Sequence, residues 1–133
     1  MTAPTRPLPH VLPQVDAIRG YITQVAEAFD ARDLDLRNVW LDPMCPRDAT
    51  FILGTDALVW NESEGFIRGR FVSGAPGERT VLADPVPLGG GVLLEPGHAA
   101  WLVETGRVES PTAYRAYTAV RDGLDDKLAG YKV

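Results

Sequence analysis

Apolar positions Val15, Ile18, Ile22, Val25 and Phe29 recur at three- and four-residue intervals, the spacing that turns one face of an α-helix toward a core. With Pro13 suited to a first turn, this predicts a helix over residues 14–29. Residues 30–38 are charged and carry no sustained apolar stripe, so they read as a connection whose leucines cover the core edge. The pattern then changes to that of strands. Val39-Trp40-Leu41 reads as a short strand stopped by Asp42-Pro43 and Cys45-Pro46, because proline cannot donate to a ladder and restricts the residue before it. Residues 49–53 are β-branched and aromatic between Asp48 and Gly54, which predicts a strand. Residues 56–62 and 66–72 form two more, separated by Ser63-Glu64-Gly65, where a left-handed Gly65 closes a hairpin.

Beyond the hairpin, residues 73–79 read as a loop and 80–83 as an edge strand ended by Asp84-Pro85 and Pro87. Gly89-Gly90-Gly91 breaks order again. Residues 96–104 combine an early proline, an Ala99-Ala100-Trp101-Leu102-Val103 body and a following Gly106, the start and stop of a short helix. A last helix is expected to start at Ser110-Pro111 and to carry Ala113, Tyr117, Val120, Leu124 and Leu128 on its apolar face. The fold class that results is α+β: an N-terminal helix, a three- to four-stranded antiparallel meander sheet, and two C-terminal helices packed on the sheet. Residues 1–12 read as a flexible proline-rich arm ahead of one domain over 13–133.

Composition narrows the function. The chain has 133 residues, 45% apolar and 23% charged, enough to bury roughly two-thirds of its unfolded surface around one core. Its N-terminus lacks the basic start and apolar run of a secretory signal, and no segment is apolar for long enough to span a bilayer. A single cysteine, Cys45, excludes an internal disulfide framework and a cysteine-rich zinc site. A cytoplasmic, membrane-free protein is the working expectation. The net charge of -5 opposes non-specific nucleic-acid binding, which relies on clustered cations displacing counterions. Eleven arginines against two lysines, with abundant Ala, Gly, Pro and Val, fit a high-GC bacterial source.

The one concentrated candidate for chemistry is a face of the hairpin. Pairing Trp60 with Arg68 and Leu58 with Arg70 puts Trp60, Arg68 and Arg70 together on the outer side, with Ala57, Val59, Ile67 and Phe71 turned to the core. Such a group can stack a planar ligand and hold an anion. The plainer account, a cross-strand cation–π pair, is favoured. Gly89-Gly90-Gly91 lacks phosphate-loop spacing and reads as a linker. His98, with Glu95 or Glu104, is the one acid–base candidate, yet no nucleophile stands at a telling distance in sequence. Asp30, Asp33 and Asp35 lack the pattern of a calcium loop. Neither a catalytic set, a metal site nor a cofactor is expected.

Trp40-Leu41-Asp42-Pro43, Asp48-Ala49-Thr50-Phe51-Ile52-Leu53 and Leu58-Val59-Trp60-Asn61-Glu62-Ser63-Glu64-Gly65-Phe66, followed by Ala99-Ala100-Trp101, resemble an actinobacterial, Streptomyces-type family of domains of unknown function. The resemblance spans residues 21–103. It implies the helix–hairpin–helix order and the source, and brings no activity. The expectation is therefore a non-catalytic module that binds a protein partner or a second copy of itself. The alternatives are a small-ligand or nucleic-acid binder using Trp60, Arg68 and Arg70, and an enzyme centred on His98.

Overall fold

A computed structural model describes residues 6–42, 46–54, 56–76, 78–116 and 122–131. Two short helical pieces open the fold, α1 (Pro13–Asp16) and α2 (Arg19–Ala31). The expected single helix is divided at Ala17 and Ile18, where Ile18 N–H bonds to Val15 O three residues back, a tighter turn than the α-helical four. Both pieces keep the predicted stripe inward, and Val15, Ile18, Tyr21, Ile22, Val25 and Phe29 are fully buried.

Five strands follow: β1 (Leu36–Asp42), β2 (Asp48–Leu53), β3 (Asp56–Asn61), β4 (Gly65–Ser73) and β5 (Val81–Pro87). They form one antiparallel sheet in the order β1-β2-β3-β4-β5. The count exceeds the expected three to four because both doubtful segments lengthen into full strands. β1 begins inside the supposed connection. β5 runs through Asp84, Pro85 and Pro87, which an edge strand tolerates because its outer amides need no partner.

The hairpin register differs by two residues from the expected one. Trp60 pairs with Phe66, Leu58 with Arg68, and Asp56 with Arg70. The turn is therefore Glu62-Ser63-Glu64, and Gly65 begins β4 at φ 81°. A shift of two preserves which residues share a face, but the inside and outside are exchanged. Leu58, Trp60 and Phe66 are fully buried under α2 together with Val39, Leu41, Ala49 and Phe51. Ile67 and Phe71, assigned to the core from sequence, lie only half-buried on the opposite face.

α3 (Pro96–Thr105) stands as expected, capped by the Glu95 carboxylate, which accepts from the backbone N–H groups of Gly97 and His98, and ended by a left-handed Gly106. Among the described residues the long final helix is not found. Residues 110–116 are non-helical, 117–121, with Tyr117 and Val120, lie outside the described residues, and only α4 (Leu124–Ala129) is helical. α3 and α4 pack against α2 instead of spreading over the sheet. Residues 109–112 are tied to the glycine run: Glu109 N–H bonds to Leu88 O, Gly90 N–H to Ser110 O, and Gly91 N–H to Thr112 Oγ1. Gly89-Gly90-Gly91 is thus a clasp rather than a linker. A Cβ on Gly89 would meet Ser110 O at 2.4 Å.

Candidate functional site

α2, with α3 packed beside it, covers only part of the inner sheet face. Along β4 the side chains of that face are Phe66, Arg68, Arg70 and Val72; Phe66 is fully buried, Arg68 half-buried, and Arg70 and Val72 exposed. Past the C-terminal end of α3 the apolar layer is open. A cavity of about 340 Å³ lies there, floored by Leu88 and Leu102 and flanked by Arg68, Arg70 and Arg107. Asp56 and Asp84 also line it. Val86 and Val108, each more than half exposed, stand at its rim.

The three guanidiniums differ in what holds them. Arg68 donates to Val103 O at 3.0 Å, capping a carbonyl of the last α3 turn, and pairs with Asp56 at 3.4 Å. Arg107 lies over the Trp101 ring at 5.5 Å. Among the described residues Arg70 has no hydrogen-bond or ion-pair partner. The cavity therefore offers an apolar floor with one uncommitted cation above it, a combination suited to an anionic head on an apolar body.

Of the residues singled out from sequence, Arg68 and Arg70 meet in this cavity and Trp60 does not. Trp60 is fully buried, its indole N–H donating to Val92 O at 2.7 Å and its ring 5.8 Å from that of Tyr21. It anchors the hairpin to the 92–94 segment and presents no surface for stacking. The two arginines made the sequence look as if this face were wet, whereas the face is dry near the turn and open only at its far end.

The His98 imidazole meets neither carboxylate proposed for it; only its backbone N–H reaches Glu95. Glu95 is occupied as the helix cap, and Glu104 pairs with Arg32 at 2.8 Å. The His98 ring stacks on Trp101 and hydrogen-bonds Glu109. Glu109 is eleven residues on and approaches only through the glycine clasp, so no local pattern could have signalled it. No group of three or more potential metal ligands occurs among the described residues, and Cys45 lies outside them.

A second polar centre, on the opposite face, went unnoticed in the sequence. Asp42 and Asp48 are direct cross-strand partners on β1 and β2. Asp42 accepts from Trp40 Nε1 and Thr50 Oγ1, both at 2.8 Å, and Asp48 accepts from Asn61 Nδ2 at 3.0 Å and Arg79 Nη1 at 2.5 Å. Burial raises both: Asp42 to about 6, against the hydrogen bonds of Thr50 and Trp40, and Asp48 to about 7, with the Asp42 charge adding to the rise and Arg79 opposing it. The signal available in sequence was the run of polar alternate positions Asp42, Asp48 and Thr50, masked by the prolines between them.

No helix of the described residues is long and apolar enough to cross a membrane. No family model, curated protein or solved structure matches the chain.

Proposed function

We propose that this protein is a non-catalytic cytoplasmic module that recognises a protein partner through the open end of its helix-side sheet face. The partner presents an acidic side chain beside apolar ones. Arg70 carries the reading: it is a guanidinium without an acceptor among the described residues, set over an uncovered continuation of the core, in a chain whose net charge is -5. Charge-assisted pairing there adds specificity, and Leu88, Leu102, Val86 and Val108 supply apolar contact. The acidic balance of the chain as a whole disfavours a nucleic-acid partner. The resemblance to actinobacterial domains is compatible with this role and assigns no other.

Crosslinking and mass spectrometry of complexes isolated from the native host test the proposal. One acidic partner crosslinked near Arg70 and Val108, and lost in Arg70→Glu and in Val86→Asp with the fold intact, is the expected result. A partner retained by both variants refutes the surface. The cavity volume favours one second reading, a small amphipathic anion at the same place. Titration with the fluorescent anion anilinonaphthalene sulfonate, with Arg70→Ala as control, distinguishes it: saturable binding at one site, lost in the variant, supports the small ligand.

A further inference from the structure

The β4–β5 ribbon bends back across the other face of the sheet. Gly69 marks the bend. Two β5 residues, Asp84 and Pro85, stand against it where the register shifts, Asp84 has φ 51°, and a Cβ on Gly69 would lie 2.8 Å from Ala83 O and 2.9 Å from Leu82 Cβ. The bend carries the start of β5 over β2 and β3. Thr80 Oγ1 comes within 2.6 Å of Thr50 Oγ1, Arg79 reaches Asp48, and Gly74 makes room for Thr80, whose Oγ1 would be 2.7 Å from a Cβ there. The ribbon and the sheet border an open pocket of about 220 Å³. Val59, Ile67, Leu82 and Pro85 form its apolar walls, and Asp48, Asn61 and Thr80 its polar end.

Charge at that polar end is unbalanced. Asp42 and Asp48 face each other across the strands, and among the described residues Arg79 is the one cation bonded to either of them. Its other amino group is spent on Pro46 O at 3.0 Å. Glu62 adds its field to Asp48 from the turn, but its own cations, Arg47 and Arg115, are committed to it. Two buried carboxylates therefore share one half-exposed guanidinium. A buried carboxylate in such a deficit either holds a proton or gains a cation.

We propose that the concave pocket between β3, β4 and β5 is a binding site for a small primary ammonium with a branched apolar body, its cation anchored on Asp48. The ammonium supplies the missing charge, Asn61 and Thr80 orient it, and the walls take the alkyl group. This site is separate from the Arg70 surface and stands or falls independently of it. Elevated carboxylate pKa values fit the same deficit and give the binding a proton signature: near neutral pH the amine displaces a proton from the Asp42–Asp48 pair.

Three isosteric probes test it on the full chain by amide chemical-shift titration: 3-methylbutylamine, 3-methylbutanol and 3-methylbutanoate. The amine is expected to shift Val59, Ile67 and Leu82 saturably and to bind at least about tenfold more tightly than the alcohol, the carboxylate not at all. Asp48→Asn, which removes a buried charge and keeps the fold, is expected to erase the preference for amine over alcohol. Leu82→Trp, which fills the cavity, is expected to abolish both. Calorimetry in buffers of different ionisation heat should register proton release with the amine alone. Equal binding of amine and alcohol, an amine preference that survives Asp48→Asn, or no shifts at these residues at the highest soluble amine concentration would each overturn the proposal.

Discussion

Replacing Glu62 is expected to loosen the whole molecule although it lies in a hairpin turn. Its carboxylate is 3% exposed and gathers three donors: Arg47 N–H at 2.5 Å, Arg47 Nη2 at 3.0 Å and Arg115 Nη1 at 3.2 Å. Arg47, itself 7% exposed, goes on to Gln14 O at 3.1 Å and Asp125 at 2.8 Å, while Arg115 binds Asp122 and its N–H bonds to Ser63 O. One side chain thus links the hairpin turn to the start of β2, to α1, and to the C-terminal segment and α4. Breaking a buried ion pair from one side costs about 3–5 kcal/mol, since the stranded charge stays buried. Asp125 and Asp122 remain to both arginines, so Glu62→Gln, which keeps one acceptor, should cost about 2–3 kcal/mol, the lower part of that range or just below. Against a total of about 7–20 kcal/mol for a chain of this length, this should lower the melting temperature by roughly 6–12 °C. Urea unfolding followed by tryptophan fluorescence gives the value, with an unchanged slope confirming that the denatured state is not the source. A double-mutant cycle with Arg115→Ala should show coupling of at least about 0.5 kcal/mol. A Glu62→Gln loss below about 0.5 kcal/mol, within the ordinary scatter of surface substitutions, would refute the claim that this carboxylate organises the fold.

Other substitutions probe separate contacts of the fold. Gly65→Ala places a Cβ 2.7 Å from Gly91 O at a φ of 81° and should cost about 1–3 kcal/mol in denaturant unfolding; a neutral effect would contradict the close approach of turn and glycine clasp. Trp60→Phe removes the indole donor to Val92 O from a fully buried site and should cost about 1–3 kcal/mol, whereas acrylamide should quench Trp101 in preference to Trp60; easy quenching of Trp60 would restore the stacking surface expected from sequence. Folded-state pKa values of about 6 for Asp42 and about 7 for Asp48 exceed the unfolded ones, so the native state binds more protons between about pH 4 and 7. Stability from these two groups is therefore full at the acid end of that window and falls as pH rises, by up to about 4 kcal/mol for Asp48. Asp16, lowered chiefly by the His10 backbone hydrogen bond, acts oppositely and loses its contribution only as pH falls below about 4. Melting curves from pH 4.5 to 8 should show a shallower decline for Asp48→Asn than for the unaltered chain; parallel declines would exclude Asp48 as the source.

Local patterning recovered the elements whose signals are local. The stripe from Val15 to Phe29, the proline start and glycine stop of α3, and the hairpin around a left-handed Gly65 each depend on neighbours within a few residues, and each is present. Segments with conflicting signals were misread. Asp84-Pro85 looked like a strand end, but on a sheet edge it is a bulge that bends the ribbon. The spacing of Ala113, Leu124 and Leu128 suggested one helix, yet Ser110 and Thr112 bond to the glycine clasp and Arg115 N–H to Ser63 O instead, so tertiary contact overrode periodicity.

The hairpin's inside and outside were reversed for an instructive reason. Both of its faces carry apolar residues, so alternation identified two sets without ranking them, and the arginines at Arg68 and Arg70 marked the wrong set as wet. Burial changes along a single face: Phe66 is sealed by α2, Arg68 caps an α3 carbonyl, and Arg70 is exposed. That gradient is set by where α3 ends, at Gly106, forty residues away in sequence from Phe66. The partner surface proposed at Arg70 is a consequence of helix length: the helical layer stops before the sheet does. Lengthening α3 by replacing Gly106 would test this dependence directly, because a helix continued over Leu88 and Val86 closes the cavity. Gly106→Ala should move toward that state and weaken any ligand held beside Arg70 without touching Arg70 itself.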